Sequence, residues 1–102
     1  MRVVMVRYTV KPDRVAENEE LIRAVYEELA QSRPEGFRYA TFKLDDGRSF
    51  MHVAAVDTGA DNPLSRTAAF ARFQEEIAAR CEQPPVVTEL DPVGSYPPLG
   101  TA

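Results

Sequence analysis

Residues 37–56 read FRYATFKLDDGRSFMHVAAV, two apolar and aromatic runs on either side of Asp45-Asp46-Gly47-Arg48. Asp-Gly between such runs is the strongest short-range signal for a β-hairpin, because the tight turn needs backbone conformations that Asp tolerates and Gly favours. A two-residue turn at Asp46-Gly47 sets Asp45 across from Arg48 and fixes the register of the strands beyond it. Phe42 then faces Met51 and Ala40 faces Val53, which together with Ala55 make one wholly apolar face. On the other face Thr41 stands across from His52, Tyr39 from Ala54 and Phe37 from Val56, with Phe50 alongside. The first face is the expected floor for helices. The second is aromatic and semi-polar, too apolar to lie open to water.

Working outward, residues 2–10, RVVMVRYTV, are rich in β-branched side chains and predict a strand that ends at Lys11-Pro12. Asp13 is positioned to cap a helix in which Val15, Ile22, Tyr26 and Leu29 recur at helical spacing, with Leu21 and Val25 widening the stripe. Glu17, Glu19, Glu20, Glu27 and Glu28 fill its other side as a solvated acidic face, and Pro34 and Gly36 end it. After the hairpin comes a loop, DTGADNPLSR at 57–66, long enough for so small a domain to serve as a binding edge. From Thr67 a second helix is predicted, with Phe70, Phe73, Ile77 and Cys81 on one stripe and Pro84-Pro85 as its stop. VVTEL at 86–90 predicts a last strand, and Pro92 after it favours a sheet edge. Residues 92–102 are expected to form an extended tail.

The order β-α-β-β-α-β is the ferredoxin-like, split βαβ arrangement of the α+β class: a four-stranded antiparallel sheet with two helices on one face. The 102 residues make a single domain, 1–102. Two helices cannot cover both sides of the sheet. Leaving Phe37, Tyr39, Phe50 and Val56 open would expose more apolar surface than a monomer usually shows, so a homodimer closed sheet to sheet is expected.

The composition narrows the function. Twelve Lys and Arg against sixteen Asp and Glu give a net charge of −4, which offers no basic field for nucleic acid. RNA-recognition modules share this element order, but RSFMHVAA at 48–55 lacks the glycines and the final aromatic of their stacking motif. No segment reaches membrane-spanning length, and the N-terminal run fits a strand better than a signal peptide. Cys81 is the one cysteine and reads as a small buried hydrophobe, consistent with a reducing, cytoplasmic setting. With one histidine and one cysteine, no zinc-ligand spacing exists.

Three polar residues are candidates to orient a ligand in an otherwise apolar pocket: Tyr8 on the first strand, and Asn18 and Tyr26 on the first helix. His52 is the only side chain whose ordinary pKa lies near neutrality. Its expected place is the partner-facing side, as an interface polar pair with Thr41. No catalytic residue is identified.

The opening strand VVMVRYTVKPDR, the segment RPEGFRYATFKLDDG after the first helix, the strand FMHVAAV and the amphipathic SRTAAFARFQEEI together resemble the dimeric α/β-barrel superfamily, and within it the antibiotic-biosynthesis-monooxygenase-like domains. The resemblance spans nearly the whole chain. It implies a homodimer with a small pocket in each subunit between helices and sheet. In active members that pocket takes aromatic, quinol-like or, in one branch, porphyrin ligands, and several act with no metal or flavin. The expected activity is therefore a cofactor-independent oxidation of a small aromatic or quinol-type metabolite. The alternative is a non-catalytic dimeric domain that binds a small ligand or a partner protein.

Overall fold

In a computed structural model that describes residues 1–98, the strands are β1 (Arg2–Val10), β2 (Phe37–Lys43), β3 (Ser49–Val56) and β4 (Cys81–Leu90). They form one sheet in the order β2-β3-β1-β4 with every neighbouring pair antiparallel. Helices α1 (Val15–Ser32), α2 (Ala68–Gln74) and the single turn α3 (Ile77–Arg80) complete the ferredoxin-like α+β order. Of the expected tail, residues 92–98 follow β4 without regular structure and 99–102 lie outside the described residues.

The strand register is the expected one, with Phe42 paired to Met51, Thr41 to His52 and Phe37 to Val56. The turn differs: it is a four-residue loop, 45–48, closed by the Leu44 N–H on the Ser49 carbonyl at 2.8 Å, rather than a two-residue turn at Asp46-Gly47. The Asp46 carboxylate accepts the backbone N–H groups of Arg48 and Ser49 at 2.9 and 2.8 Å, which holds the turn closed. The Ser49 hydroxyl, followed by those two backbone bonds, keeps the carboxyl at about 2, below its ordinary value.

The assignment of faces is the reverse of the expected one. Tyr8 and Val10 of β1 and Phe50 of β3 are buried against Val25 of α1 and Ala69 and Phe73 of α2, with Phe37 and Tyr39 of β2 packed against the same cluster. The aromatic face is thus the floor beneath the helices. Phe42, on the opposite face with Met51 and Ala40, is 52% exposed. The physical reason lies in β1. Val6 pairs with His52 and Tyr8 with Phe50, and directly paired residues share a face. Once Tyr8 lies under the helices, Phe50 and His52 must lie there too.

Three local expectations are also revised. Asp13 falls inside a 3-10 turn, Pro12–Arg14, and no side chain caps the start of α1. Glu28 leaves its supposed solvated face to accept the N–H groups of Ala68 and Ala69 at 3.1 and 2.9 Å, so α1 caps α2. The second helix is broken. Glu76 adopts a left-handed conformation (φ 57°), α3 makes one more turn, and Cys81 opens β4 rather than closing a helix. Pro84 and Pro85 sit within β4, which tolerates them because it is an edge strand whose register shifts against β1 between Arg7 and Val10.

Candidate functional site

The helix break is held by Arg80. Its side chain is buried at 1% exposure, and its guanidinium donates to the carbonyls of Phe73 (2.6 Å) and Glu75 (3.0 Å), which the end of α2 leaves without helical partners. The guanidinium carbon also lies 5.2 Å from the centre of the Phe73 ring. A third donor, Nε, reaches Asn18 Oδ1 at 3.2 Å.

From Asn18 a buried polar chain crosses the sheet. Asn18 Nδ2 donates to the Tyr8 hydroxyl at 3.0 Å. The Tyr8 hydroxyl bonds His52 Nε2 at 2.7 Å, and His52 Nδ1 bonds the Tyr39 hydroxyl at 2.6 Å with the Thr41 hydroxyl at 3.2 Å. Thr41 in turn meets the Tyr26 hydroxyl at 2.8 Å. Asn18 is wholly buried and His52 is 6% exposed. Among the described residues every buried side-chain nitrogen and oxygen has a partner, as a network this deep requires.

Tyr8, Asn18 and Tyr26, the expected polar groups of a ligand pocket, all belong to this polar chain, but of the three only Tyr8 lines the neighbouring cavity. Tyr8 and Asn18 touch directly. Tyr26 stands at the half-buried outer end, joined through Thr41 and stacked on Tyr39 with ring centres 5.3 Å apart. The Thr41–His52 pair does bond, but under the helices rather than on a partner-facing surface. Tyr39 and Arg80 were not anticipated. Tyr39 alternates in phase with Thr41, and the known register carries the signal. Arg80 stands three residues after Ile77 and seven after Phe73, on the flank of the apolar stripe expected for the second helix, and that spacing is the signal in the sequence for its burial.

Beside this chain lies a cavity of about 250 Å³ between the sheet and α2–α3. Tyr8, Tyr39 and His52 form its polar wall, and Val6, Phe70 and Phe73 are among its apolar lining. An apolar cavity of about 150 Å³ takes benzene, so this volume suits one substituted ring or two fused ones. Asn62 reaches the cavity from the loop before α2, where its side chain also accepts the Leu64 N–H at 3.0 Å.

Burial moves the titrations away from neutrality. Desolvation lowers His52 to about 4, so the imidazole is neutral at pH 7. The same cause raises Tyr8 and Tyr39 well above the ordinary phenol value, so both remain protonated. The wall therefore offers neutral donors and acceptors. Among the described residues no three His, Cys, Asp or Glu side chains converge as a metal site would need, and no helix is long and apolar enough to cross a membrane.

No protein-family profile matches the chain, nor does any curated protein at a significant level. Solved structures do. A Nitrosomonas europaea protein named as a putative antibiotic biosynthesis monooxygenase superposes with a TM-score of 0.74 at 21% identity, over 92% of this chain and 100% of its own. A mutant of SnoaB, a cofactor-independent oxygenase from Streptomyces nogalater, gives 0.63 at 21% identity over 95% and 98% of the two chains. A Nitrosomonas europaea protein of unknown function gives 0.72 at 16% identity over 97% and 95%. At these identities the likeness is one of fold: the chain has the architecture of the antibiotic-biosynthesis-monooxygenase-like structures over most of its length.

Proposed function

We propose that this protein is a cofactor-independent monooxygenase-like enzyme that takes a small aromatic or quinol-type molecule into the cavity beneath α2 and oxidises it with dioxygen. The observation that carries the reading is the cavity itself: a ring-sized apolar space with the Tyr39 hydroxyl and the His52 imidazole on one wall. Apolar walls exclude water and hold the ring, while a few fixed polar groups orient its oxygen. A phenol with an open para carbon gives a quinone: one atom of dioxygen becomes the new carbonyl and the other leaves as water. The electrons come from the ring, so no separate reductant enters the balance. The fold likeness to a structure named as a cofactor-independent oxygenase supports the reading.

Dimerisation is part of the proposal, now through the outer face. Phe42, Val86 and Leu90 are exposed there, with Met5, Met51 and Val53 among them. A second copy of the chain is the simplest cover for such a surface.

Oxygen uptake against a panel of hydroquinones and phenols tests the activity. Consumption that requires the protein and falls in a Phe73→Trp variant, which fills the cavity, is the expected result. Saturable binding without oxygen uptake would overturn the enzyme reading and leave a ligand-binding domain. One observation favours that second reading: both nitrogens of His52 are already bonded within the protein, so the cavity wall holds no free strong base.

A further inference from the structure

The buried polar chain has a direction, and Arg80 sets it. A guanidinium only donates, so Asn18 Oδ1 must accept and Asn18 Nδ2 must face Tyr8. The Tyr8 oxygen therefore receives a hydrogen from Asn18 and turns its own toward His52 Nε2, 2.7 Å away. A neutral imidazole that accepts at Nε2 must carry its hydrogen on Nδ1, where Tyr39 lies at 2.6 Å. Tyr39 accepts that hydrogen and keeps its own to give, to Thr41 beside it or to an oxygen in the cavity.

We propose that Arg80 and Asn18 are positioning residues that fix His52 as the Nδ1–H tautomer and so leave the Tyr39 hydroxyl to donate into the cavity, making its polar wall a site for the anionic oxygen of a phenolate or enolate. The inference rests on the reading that the cavity takes a phenolic ligand, but not on that ligand's oxidation. Among the described residues no acidic side chain bonds Arg80, although its charge also reaches the Glu17 carboxylate; it meets two carbonyls, an amide oxygen and an aromatic face. Its charge is thus left to polarise the donors in series, each strengthening the next. For an electron-rich ring the consequence is direct. Stabilising the phenolate raises the electron density from which dioxygen must draw.

Because His52 is the only histidine, ¹⁵N-histidine labelling of the full chain reports this one ring. At pH 7 the wild type is expected to show Nε2 at the resonance position of an unprotonated imidazole nitrogen and Nδ1 at that of a protonated one. Asn18→Asp is nearly isosteric and still accepts from Arg80, yet it presents an acceptor to Tyr8. The Tyr8 hydroxyl then turns away from His52, and Nε2 moves to the protonated position. A merely structural role for Asn18 would leave the tautomer unchanged. Wild-type protein with Nε2 protonated, or an Asn18→Asp variant with Nε2 still bare, overturns the proposal. The cavity end is read with 4-nitrophenol, whose phenolate absorbs in the visible. Wild-type protein is expected to favour the phenolate by about tenfold, the margin by which a hydrogen bond to a charged group exceeds one to a neutral group, and Asn18→Asp to lose that preference. No binding, or binding with an unchanged phenolate band, overturns the anion-accepting end. Failure of oxygen uptake with the tautomer as stated would sink the proposed activity and leave this inference standing.

Discussion

Acid should destabilise this protein through one residue, in a window where little else acts. The His52 imidazole lies at about 4 in the folded chain because burial opposes its charge, against 6.5 for the free side chain. Between those values the unfolded chain holds a proton that the folded chain does not, so stability rises with pH. The contribution is fully present above about pH 6.5 and is lost as pH falls toward 4. A displacement of about 2.5 pH units corresponds to about 3 kcal/mol, a large part of the roughly 5–15 kcal/mol that holds such a domain together. The lowered carboxyls act further down. Asp46 contributes only below its ordinary 3.8, and Glu17 and Glu89, lowered by Arg14 and Arg2, below 4.5. Urea unfolding at constant protein concentration, from pH 7.5 to 4.5, measures the slope. His52→Gln, which cannot take up a proton, should be less stable at pH 7 and nearly flat through the same interval. A flat wild-type profile, or a variant with the wild-type slope, would refute the placement of a neutral histidine beneath the helices.

Other substitutions test other parts of the structure. Tyr8→Phe strips a partner from both Asn18 and His52 and should cost about 2–5 kcal/mol by urea midpoint, since each buried polar group left unpaired costs about 1–3; a loss below about 1 kcal/mol would mean the network repairs itself. Phe73→Ala removes a buried ring that packs on Tyr8 and beneath Arg80 and should cost about 3–5 kcal/mol. Phe42→Glu, on the outer face, should change the fold by no more than about 0.5 kcal/mol while sedimentation velocity shows dimer giving way to monomer; an unchanged sedimentation coefficient would remove this face as the interface. Gly47→Ala meets open space but must adopt φ near +74°, and a loss of about 1–2 kcal/mol in thermal unfolding is expected.

Much of this architecture can be read from the chain because its signals are local. Asp46-Gly47 sets the register, Pro34 and Gly36 stop the first helix, and period-two alternation sorts Phe37, Tyr39 and Thr41 from Arg38, Ala40 and Phe42. What alternation does not say is which set the helices cover when both are apolar. Here the deciding facts were non-local. Arg7 and Arg38 stand exposed on the face that helices would have had to bury, and Tyr8 pairs with Phe50, 42 residues further along the chain. Either one, combined with the hairpin register, places His52 beneath the helices. The polar chain depends on this too. Tyr8, Asn18 and Tyr26 were recognisable as odd polar members of apolar stripes, whereas Arg80 became part of the site only because the second helix breaks at Glu76. The break leaves carbonyls that call for a donor, the donor is a cation, and the cation orients Asn18. A charged residue on the flank of an apolar stripe can thus be drawn in by a helix break and decide which nitrogen of the histidine carries the hydrogen.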